Sequence, residues 1–480
     1  MGYLLLYQVA PLLCLWIFFQ WIGVWKKFRT WGLGAIFLMG FLLQIIFWLS
    51  SVPSLINPDS FGFFLLSKGM APDVLTILFR PKVYPLFLSV FSSLSVATFF
   101  QCLMKMAMGG MLVGMSRVLE WRTGTLGFVL TLFFVNSFWL QEPLRILDTT
   151  IVSLLFTGFL WLALETLYRP SRNKFTLLCL TAALVTLTRQ AMDLTLLFVL
   201  VIVVLSLWSR HKLSLPNLMI SLFLGAILAT AGAWVNLIQV GVWTRSVAVG
   251  VNLYTHESNY ELESFDSPEW TFVEQFLPDE RKKIDPWKTD YHENISWAVN
   301  ALPHRLERSM GVTSIKEILA VDHQLSVRFF QWVWRKPGLY FESIRNEFMR
   351  LLFKTDEYYP DSLIAHLPWV PPIAIRFERG LIYQPIGLLL FFGMVSFSFI
   401  NRKRLAVAIL FFGSLIYIVL ISSIQLGFTR YSIPLIPCLL VFLGQVSEGM
   451  AISFFTIRYN GVKANPNPDP KVKNDPVAKR

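Results

Sequence analysis

Charged residues are scarce in this chain. They make up 15% of its 480 residues, whereas a soluble domain carries about 25%. Hydrophobic residues reach 55% and the mean hydropathy is +0.56, which excludes a soluble globular protein, an intrinsically disordered chain and a collagen-like repeat. The 42 Lys and Arg against 30 Asp and Glu give a net charge of +12. In so apolar a chain, this excess indicates basic cytoplasmic loops of a membrane protein rather than nucleic-acid binding.

The motifs of several enzyme classes are also missing. The four cysteines lie in apolar runs without a CxxC pair, so they predict no disulfide scaffold. The six histidines show no HExxH or other zinc spacing. No glycine-rich nucleotide loop is present, which argues against a soluble nucleotide-sugar donor and against ATP-driven transport. A divalent metal held by carboxylates of outer loops stays open as a cofactor.

Long apolar runs take the place of these motifs. A transmembrane helix needs about 20 apolar residues, and we count eleven such spans. They lie at residues 3–24, 32–52, 98–119, 123–141, 146–168, 175–189, 191–208, 215–240, 381–400, 405–424 and 431–457. The first run is followed, not preceded, by Lys26, Lys27 and Arg29, so we interpret it as a helix and not as a signal peptide. The predicted fold class is an all-α polytopic membrane protein with about eleven transmembrane helices, external juxtamembrane helices and one large external loop region.

Basic residues occupy alternate connections between these spans. They are Lys26, Lys27, Arg29, Arg117, Arg122, Arg169, Arg172, Lys174, Arg210, Lys212, Arg402, Lys403 and Arg404, followed by the basic tail. The positive-inside rule makes this side cytoplasmic. We therefore predict a multi-pass protein of the plasma or inner membrane, with its N-terminus outside and its C-terminus in the cytoplasm. Residues 84–97 would reverse the later loops if they crossed, so we expect them to form a helix along the outer interface, starting at Tyr84 and Pro85.

The distribution of charge divides the chain into regions. These are an N-terminal transmembrane region (1–240) with a catalytic first external loop (53–97), an external soluble segment (241–380), C-terminal transmembrane helices (381–457) and a disordered basic cytoplasmic tail (458–480). Within the external segment, residues 326–353 alternate aromatic and charged side chains at helical spacing, with a break at Pro337. This pattern predicts helices that lie on the membrane surface.

Acidic and basic side chains gather at the outer ends of the predicted spans. The acidic ones are Asp59, Asp73, Glu142, Asp148 and Asp193, and the basic ones are Arg80, Lys82, Arg145, Arg189 and Arg430. Arg and Lys can bind a lipid phosphate while a carboxylate acts on a second substrate. The alternative is that these charges cap helices and lie among lipid headgroups. Lys105 lies deeper in its span, where its ammonium could snorkel toward the outer interface or face a polar cavity. We expect it to snorkel.

The order of short motifs along the chain favours the first interpretation. The motifs are Asn57-Pro58-Asp59-Ser60, Arg80-Pro81-Lys82-Val83-Tyr84-Pro85, Leu187-Thr188-Arg189, Gly250-Val251-Asn252-Leu253-Tyr254, Lys336-Pro337-Gly338-Leu339-Tyr340 and Thr429-Arg430-Tyr431-Ser432-Ile433-Pro434. Each lies on the side that the charge rule makes external. Over residues 32–457 this order resembles the GT-C glycosyltransferase superfamily, and most closely its bacterial branch related to protein mannosyltransferases and lipid A sugar transferases.

The resemblance implies an integral-membrane enzyme that transfers a sugar from a polyprenyl-phosphate donor to a lipid, glycan or protein acceptor, by inverting displacement on the outer face. Asp59 matches the family's acidic position and is the candidate base. Many relatives carry a paired acidic motif where this chain has Asp-Ser, so Asp148 is the candidate second carboxylate, with Glu142 as alternate. Arg189 and Arg430 match basic positions that would stabilise charge on the departing phosphate. The predicted donor-binding set is Arg80, Lys82, Tyr84, Arg189, Arg430 and Tyr431.

Other functions stay open at this point. A flippase or exporter of polyprenyl-linked sugars would also need outer cations, but it should carry charged or broken helices near the bilayer midplane, in matched halves. A polymerase or ligase shares the lipid-linked substrate but lacks the early Pro-Asp-Ser loop. Asp59 itself has a structural alternative, an Asx-turn or helix cap after Pro58. The predicted partners are the lipid-linked donor, its acceptor and the membrane, and no nucleic acid.

Overall fold

Helices make up most of the described chain. The computed structural model describes residues 14–23, 25, 31–50, 58–70, 80–135, 140–245, 250, 252–254, 257, 315–353, 433–437, 439–445 and 447–450, and no β-strand occurs among them. In chain order the helices are α1 (14–22), α2 (Leu33–Ser50), α3 (Pro58–Ser67), α4 (Val83–Ser89), α5 (Leu94–Leu119), α6 (Thr123–Val135), α7 (Thr149–Tyr168), α8 (Arg172–Thr188), α9 (Asp193–Ser209), α10 (Leu215–Ala229), α11 (Ala231–Val240), α12 (Ile315–Arg335), α13 (Pro337–Phe353) and α14 (439–445 and 447–450). The predicted all-α class is confirmed for this part of the chain.

Several helices have the length and composition of membrane spans. Five stretches of the described chain qualify: Leu33–Ser50, Leu94–Leu119, Thr149–Tyr168, Gln190–Ser209 and Leu215–Val240. Each overlaps a span predicted from the sequence. The helix Thr123–Val135 is also apolar but has only 13 described residues. The predicted spans 381–400 and 405–424 lie outside the described residues, so the total of eleven stays a prediction.

Serine caps fix the starts of two central helices. The Ser93 hydroxyl accepts from the amide of Val96 at the start of α5, and the Ser171 hydroxyl accepts from the amide of Lys174 at the start of α8. Such bonds satisfy backbone donors that have no partner inside the helix. Glu120 closes α5 in a left-handed conformation, with φ of 59°. Local capping chemistry therefore defines both ends of α5.

One apolar core holds these helices together. Met108 of α5, Phe133 of α6, Phe159 of α7 and Phe175 of α8 are all buried in it. Glycine lets two of the helices approach closely, because a Cβ atom at Gly225 of α10 would lie 3.0 Å from the backbone oxygen of Cys179. Close approach at small residues is how membrane helices pack, since lipid gives no hydrophobic drive between them.

Polar contacts gather at two ends of the helix bundle. At one end, which we call the Glu448 end, the Glu448 carboxylate accepts from the amide of Arg122 at 2.9 Å and from the Thr125 hydroxyl at 2.8 Å. A carboxylate at this position is favourable because α6 begins there. Trp16 Nε1 donates to Ser447 Oγ at 2.6 Å and joins α1 to α14. The other end, where α7 begins and α8 ends, we call the Asp148 end.

The extent predicted for the interfacial helix at 84–97 is wrong. Residues Val83–Ser89 form the separate helix α4, and Leu94 already belongs to α5 because Ser93 caps that helix. At 1.5 Å per residue α4 is roughly 10 Å long, too short to cross a bilayer. The sequence-based count of crossings before and after this segment is therefore unchanged.

The predicted snorkelling of Lys105 is also wrong. Its side chain is fully buried, and Nζ donates to Gln44 Oε1 of α2 at 3.0 Å and to the backbone oxygen of Phe134 at 3.3 Å. Gln44 Nε2 donates in turn to the backbone oxygen of Leu140 at 3.1 Å. Oxygen atoms inside the bundle replace the water that an interfacial ammonium would reach.

The segment that the sequence predicts to be external contains the predicted helices on either side of Pro337. Phe329 and Trp332 of α12 pack against Tyr340 of α13, whereas Trp334 is 88% exposed. Contact of this pair with a membrane surface stays a prediction. Most of 241–314, the residues 354–432 and the tail from 451 lie outside the described residues, and so do the domain boundaries predicted there.

Candidate functional site

An ion pair joins two of the predicted site residues at the Asp148 end. Asp148 immediately precedes α7 and Arg189 immediately follows α8, so antiparallel packing of the two helices brings them together. Arg189 Nη2 donates to Asp148 Oδ1 at 2.7 Å, and Nε donates to Oδ2 at 3.3 Å. Both side chains are only 11% exposed. The carboxylate therefore fixes the plane of the guanidinium through two parallel bonds.

A second set of contacts joins Tyr84 to the segment that leads to Asp148. The Tyr84 hydroxyl donates to Gln101 Oε1 of α5 at 2.8 Å. Gln101 Nε2 donates to the backbone oxygens of Pro143 and Arg145, both at 2.8 Å. Tyr84 and Gln101 are fully buried. The predicted donor-binding residue Tyr84 is thus connected to the backbone that carries Glu142 and Asp148.

The residues around Asp59 form a helix within the connection between two predicted spans. Pro58 begins α3, a favoured place for proline because its missing N–H would have no partner in the first turn. Asp59 therefore lies in the first turn of a helix, and its side chain lies outside the described residues. Ser60 and Phe63, which follow in α3, are buried.

Arg80 packs on this helix. Its guanidinium carbon lies 5.3 Å from the centroid of the Phe63 ring, a cation–π contact. Phe63 in turn meets Tyr84 edge to face, with centroids 5.0 Å apart. A Cβ atom at Gly62 would lie 3.2 Å from Arg80 Nε, so glycine leaves room for the guanidinium. The structure thereby places α3, with Asp59 in its first turn, beside Arg80 and Tyr84.

Burial changes the proton affinity of two predicted donor-binding residues. It lowers the pKa of Lys82 from 10.5 to about 8. Burial raises the pKa of Tyr84 well above its ordinary value, and the charges of Asp148 and Glu142 raise it further. Tyr84 therefore keeps its proton and acts as a hydrogen-bond donor, while Lys82 carries a charge that depends on pH near neutrality.

Another ion pair lies at the Asp148 end but was not predicted as part of the site. Arg245 Nη2 donates to Asp193 Oδ2 at 2.8 Å, and the Thr186 hydroxyl donates to Asp193 Oδ1 at 2.9 Å. This pair is more exposed than the first, at 37% for Arg245 and 33% for Asp193. It lies near the surface of the end where α8 passes into α9.

The structure therefore assembles part of the predicted site. Arg80, Tyr84, Asp148 and Arg189 are joined by the contacts described above, and Lys82 directly precedes the helix of Tyr84. The predicted residues Arg430 and Tyr431 lie outside the described residues. Sequence reasoning missed Gln101, Gln44 and Arg245. The one available signal was a polar residue, Gln101, placed one turn before Lys105 in an apolar helix.

The arrangement combines cations, a buried phenol and carboxylates at the Asp148 end of an apolar helix bundle. Such a set can bind an oxyanion and hold it next to a polar reaction centre. Among the residues that the structure describes, no group of three or more His, Cys, Asp and Glu side chains is placed to hold a metal ion.

Comparisons of the chain with models of protein families, with curated proteins and with solved structures find no match.

Proposed function

We propose that the protein is an integral-membrane glycosyltransferase of the GT-C type, which transfers a sugar from a polyprenyl-phosphate donor to an acceptor on the outer face of the membrane. The observation that carries this proposal is the buried, two-bond ion pair between Asp148 and Arg189. It lies where apolar helices end, beside the aromatic and cationic contacts of Arg80 and Tyr84. A lipid-linked phosphate presents its charge at this level of a membrane protein.

The cations provide the binding step of this mechanism. The guanidinium groups of Arg80 and Arg189 and the ammonium of Lys82 bind the donor phosphate and stabilise the charge that grows on it as the sugar leaves. Because Asp148 occupies one edge of Arg189, the guanidinium cannot turn away when phosphate binds. Asp148 thus acts by orienting Arg189, and Arg430 and Tyr431 complete the donor site.

Asp59 provides the chemical step. The carboxylate takes the proton from the acceptor hydroxyl or amine as the acceptor attacks the sugar carbon, and the polyprenyl phosphate departs from the opposite face. Its place in the first turn of α3 supports this role, because α3 also carries Phe63, on which Arg80 packs. The base and the phosphate-binding Arg80 are then supported by the same short helix.

The distribution of charge supports an external site. The end opposite to Asp148 carries Arg117, Arg122, Arg169, Arg172, Lys174, Arg210 and Lys212, which lie at the ends of α5, α7 and α9 or the starts of α6, α8 and α10. By the positive-inside rule this end faces the cytoplasm. The protein then has its N-terminus outside, its C-terminus inside and eleven crossings of the plasma or inner membrane.

One observation favours a different function, the export of polyprenyl-linked sugars. Lys105 is a buried cation near the middle of the apolar helix Leu94–Leu119, and charged groups at this depth are typical of transport pathways. Its ammonium, however, is held by Gln44 and by the backbone oxygen of Phe134, both inside the bundle. These bonds fit a structural role better than a path for a substrate.

Purified protein in lipid vesicles tests the proposal. The vesicles contain one polyprenyl-phosphate sugar from a panel, with the sugar labelled, together with a lipid, glycan or peptide acceptor. The proposal predicts that at least one donor yields a labelled acceptor and free polyprenyl phosphate in equal amounts. Movement of the intact donor between leaflets, with no transfer from any donor, would instead indicate an exporter.

A further inference from the structure

Side chains of other helices hold the segment 140–148, which precedes α7. Four backbone oxygens, three in this segment and that of Phe134 in α6, accept hydrogen bonds from α2 and α5. Lys105 donates to Phe134, Gln44 donates to Leu140, and Gln101 donates to both Pro143 and Arg145. The segment also carries Glu142 and Asp148.

These bonds matter because the segment is buried. Every residue from 142 to 150 is buried, and most of the residues from 142 to 148 have no regular α-helical ladder to satisfy their backbone groups. Within an apolar bundle, a backbone oxygen without a donor costs free energy, so irregular backbone survives only where other groups supply partners. Gln101 supplies two of them from a single amide.

The orientation of the Gln101 amide follows from its partners. Backbone oxygens can only accept hydrogen bonds, so the amide nitrogen must face Pro143 and Arg145. Oε1 then faces Tyr84, whose hydroxyl must be the donor. One side chain therefore uses both of its polar ends to join α4 to the segment before α7.

We propose that Gln101 is a positioning residue that sets the place of Asp148, and through it of Arg189, relative to Tyr84 and Lys82. This inference rests on the proposed function, since the residues that it aligns are those assigned to the donor phosphate. Its bonds go to the Tyr84 hydroxyl and to backbone oxygens, not to the Asp148 carboxylate or the Arg189 guanidinium. It acts through the backbone of Pro143 and Arg145, a few residues before Asp148.

The test replaces Gln101 with an apolar side chain of similar length. Gln101→Met keeps the helix propensity but removes both donors and the acceptor of Tyr84. Thr98→Val is the matched control, because Thr98 is a buried polar residue of α5 that bonds to Trp48 and to its own helix, and not to the segment. Hydrogen exchange of the amides of 142–148 and the kcat/KM for donor are measured for both variants and for the wild type.

We expect faster exchange of the 142–148 amides in Gln101→Met, unchanged exchange in the rest of α5, and a loss of kcat/KM of about 10–100-fold, the worth of one to two buried hydrogen bonds. Thr98→Val should behave as the wild type in both measurements. Combining Gln101→Met with Asp148→Asn should cost less than the sum of the two effects, because both act on the same guanidinium.

Three outcomes would overturn the inference: unchanged exchange of 142–148 in Gln101→Met, an equal effect of Thr98→Val, or strict additivity with Asp148→Asn. The exchange measurement needs no activity, so it tests Gln101 even if the wild type transfers no sugar. A wild type that transfers no sugar would refute the proposed function. The positioning of the segment by Gln101 would then be judged on exchange alone: faster exchange in Gln101→Met supports it, and unchanged exchange refutes it.

Discussion

The pair formed by Asp148 and Arg189 gives the sharpest quantitative prediction. Two unit charges about 4 Å apart attract by roughly 4 kcal/mol at an effective dielectric constant of about 20, and the desolvation of both groups offsets part of this. With both side chains 11% exposed, the surviving coupling should be about 1.5–3 kcal/mol, the range of charge-assisted hydrogen bonds. Such a coupling corresponds to a factor of about 10–150 in a rate constant.

A double-mutant cycle measures this coupling. Asp148→Asn keeps the size of the side chain but removes its charge, and Arg189→Gln removes the charge and the fork of the guanidinium. The kcat/KM for donor is determined for the two single variants and the double variant, after each has been checked for insertion and for a single peak in size-exclusion chromatography. We expect the double variant to be little worse than the poorer single variant, because each change alone disables the same unit.

The ion pair of Asp193 and Arg245 is the matched control. It lies at the same end of the bundle and has a similar distance of 2.8 Å, but it is about one third exposed. Water screens such a pair, so its coupling should stay below about 1 kcal/mol. Additive effects of Asp148→Asn and Arg189→Gln, or equal coupling in both pairs, would refute the claim that Asp148 serves by holding Arg189.

Three other predictions concern the donor and the orientation. Burial lowers the pKa of Lys82 to about 8, so the affinity for the donor should be constant below that pH and fall above it, as the ammonium loses its proton. Measurement of KM against pH should show this fall in the wild type and not in Lys82→Arg. Arg430→Ala should reduce donor use by about 10–150-fold and Arg430→Lys should recover only part of it; unchanged donor kinetics would reduce Arg430 to an interface anchor. Met70 and Asn173 are both exposed and lie at opposite ends of the bundle. In a cysteine-free background, Met70→Cys should therefore react with an impermeant thiol reagent in intact cells, and Asn173→Cys should not. The reverse pattern would invert the topology.

The sequence was sufficient to predict the membrane class and the places of most described helices. Apolar runs as long as a bilayer is thick are typical of membrane helices, and the caps Ser93 and Ser171 lie five and four residues before the predicted starts of their runs. For Asp148 and Arg189, the sequence predicted only that both residues lie at the same level of the membrane. Their contact depends on the rotation of α7 against α8, which is set by packing and not by hydropathy.

The errors have a common physical origin. Lys105 and the segment 84–97 were interpreted from their distance to water, as if each helix met lipid on all sides. In the structure Gln44 from another helix reaches Lys105, and the cap at Ser93 divides the predicted interfacial helix. The first effect comes from a residue that is distant in sequence, and the second comes from a single side chain. Neither changes the local hydropathy.

Some residues of the site carried only a weak signal. Gln101 has no charge and belongs to no motif, and its role depends on two backbone oxygens about forty residues away. Asp59 shows the opposite case, because its motif drew attention to it but left its secondary structure open. A proline followed by an aspartate is equally suited to a turn and to the first turn of a helix.

The central claim is that this protein breaks the bond between a sugar and a polyprenyl phosphate, and one measurement tests it most directly. Wild-type protein and Asp59→Asn are placed in vesicles with a donor that is labelled in both the sugar and the phosphate, and the free polyprenyl phosphate is quantified. The account predicts release of polyprenyl phosphate by the wild type in step with sugar transfer, and a rate lower by about 10²–10⁴-fold in Asp59→Asn, the usual worth of a positioned acid or base. Asn keeps the size and turn-forming capacity of Asp, so insertion and expression should be normal. Equal release by the two proteins would remove Asp59 from the mechanism, and a donor that stays intact while the wild type moves it across the bilayer would contradict the proposed function itself.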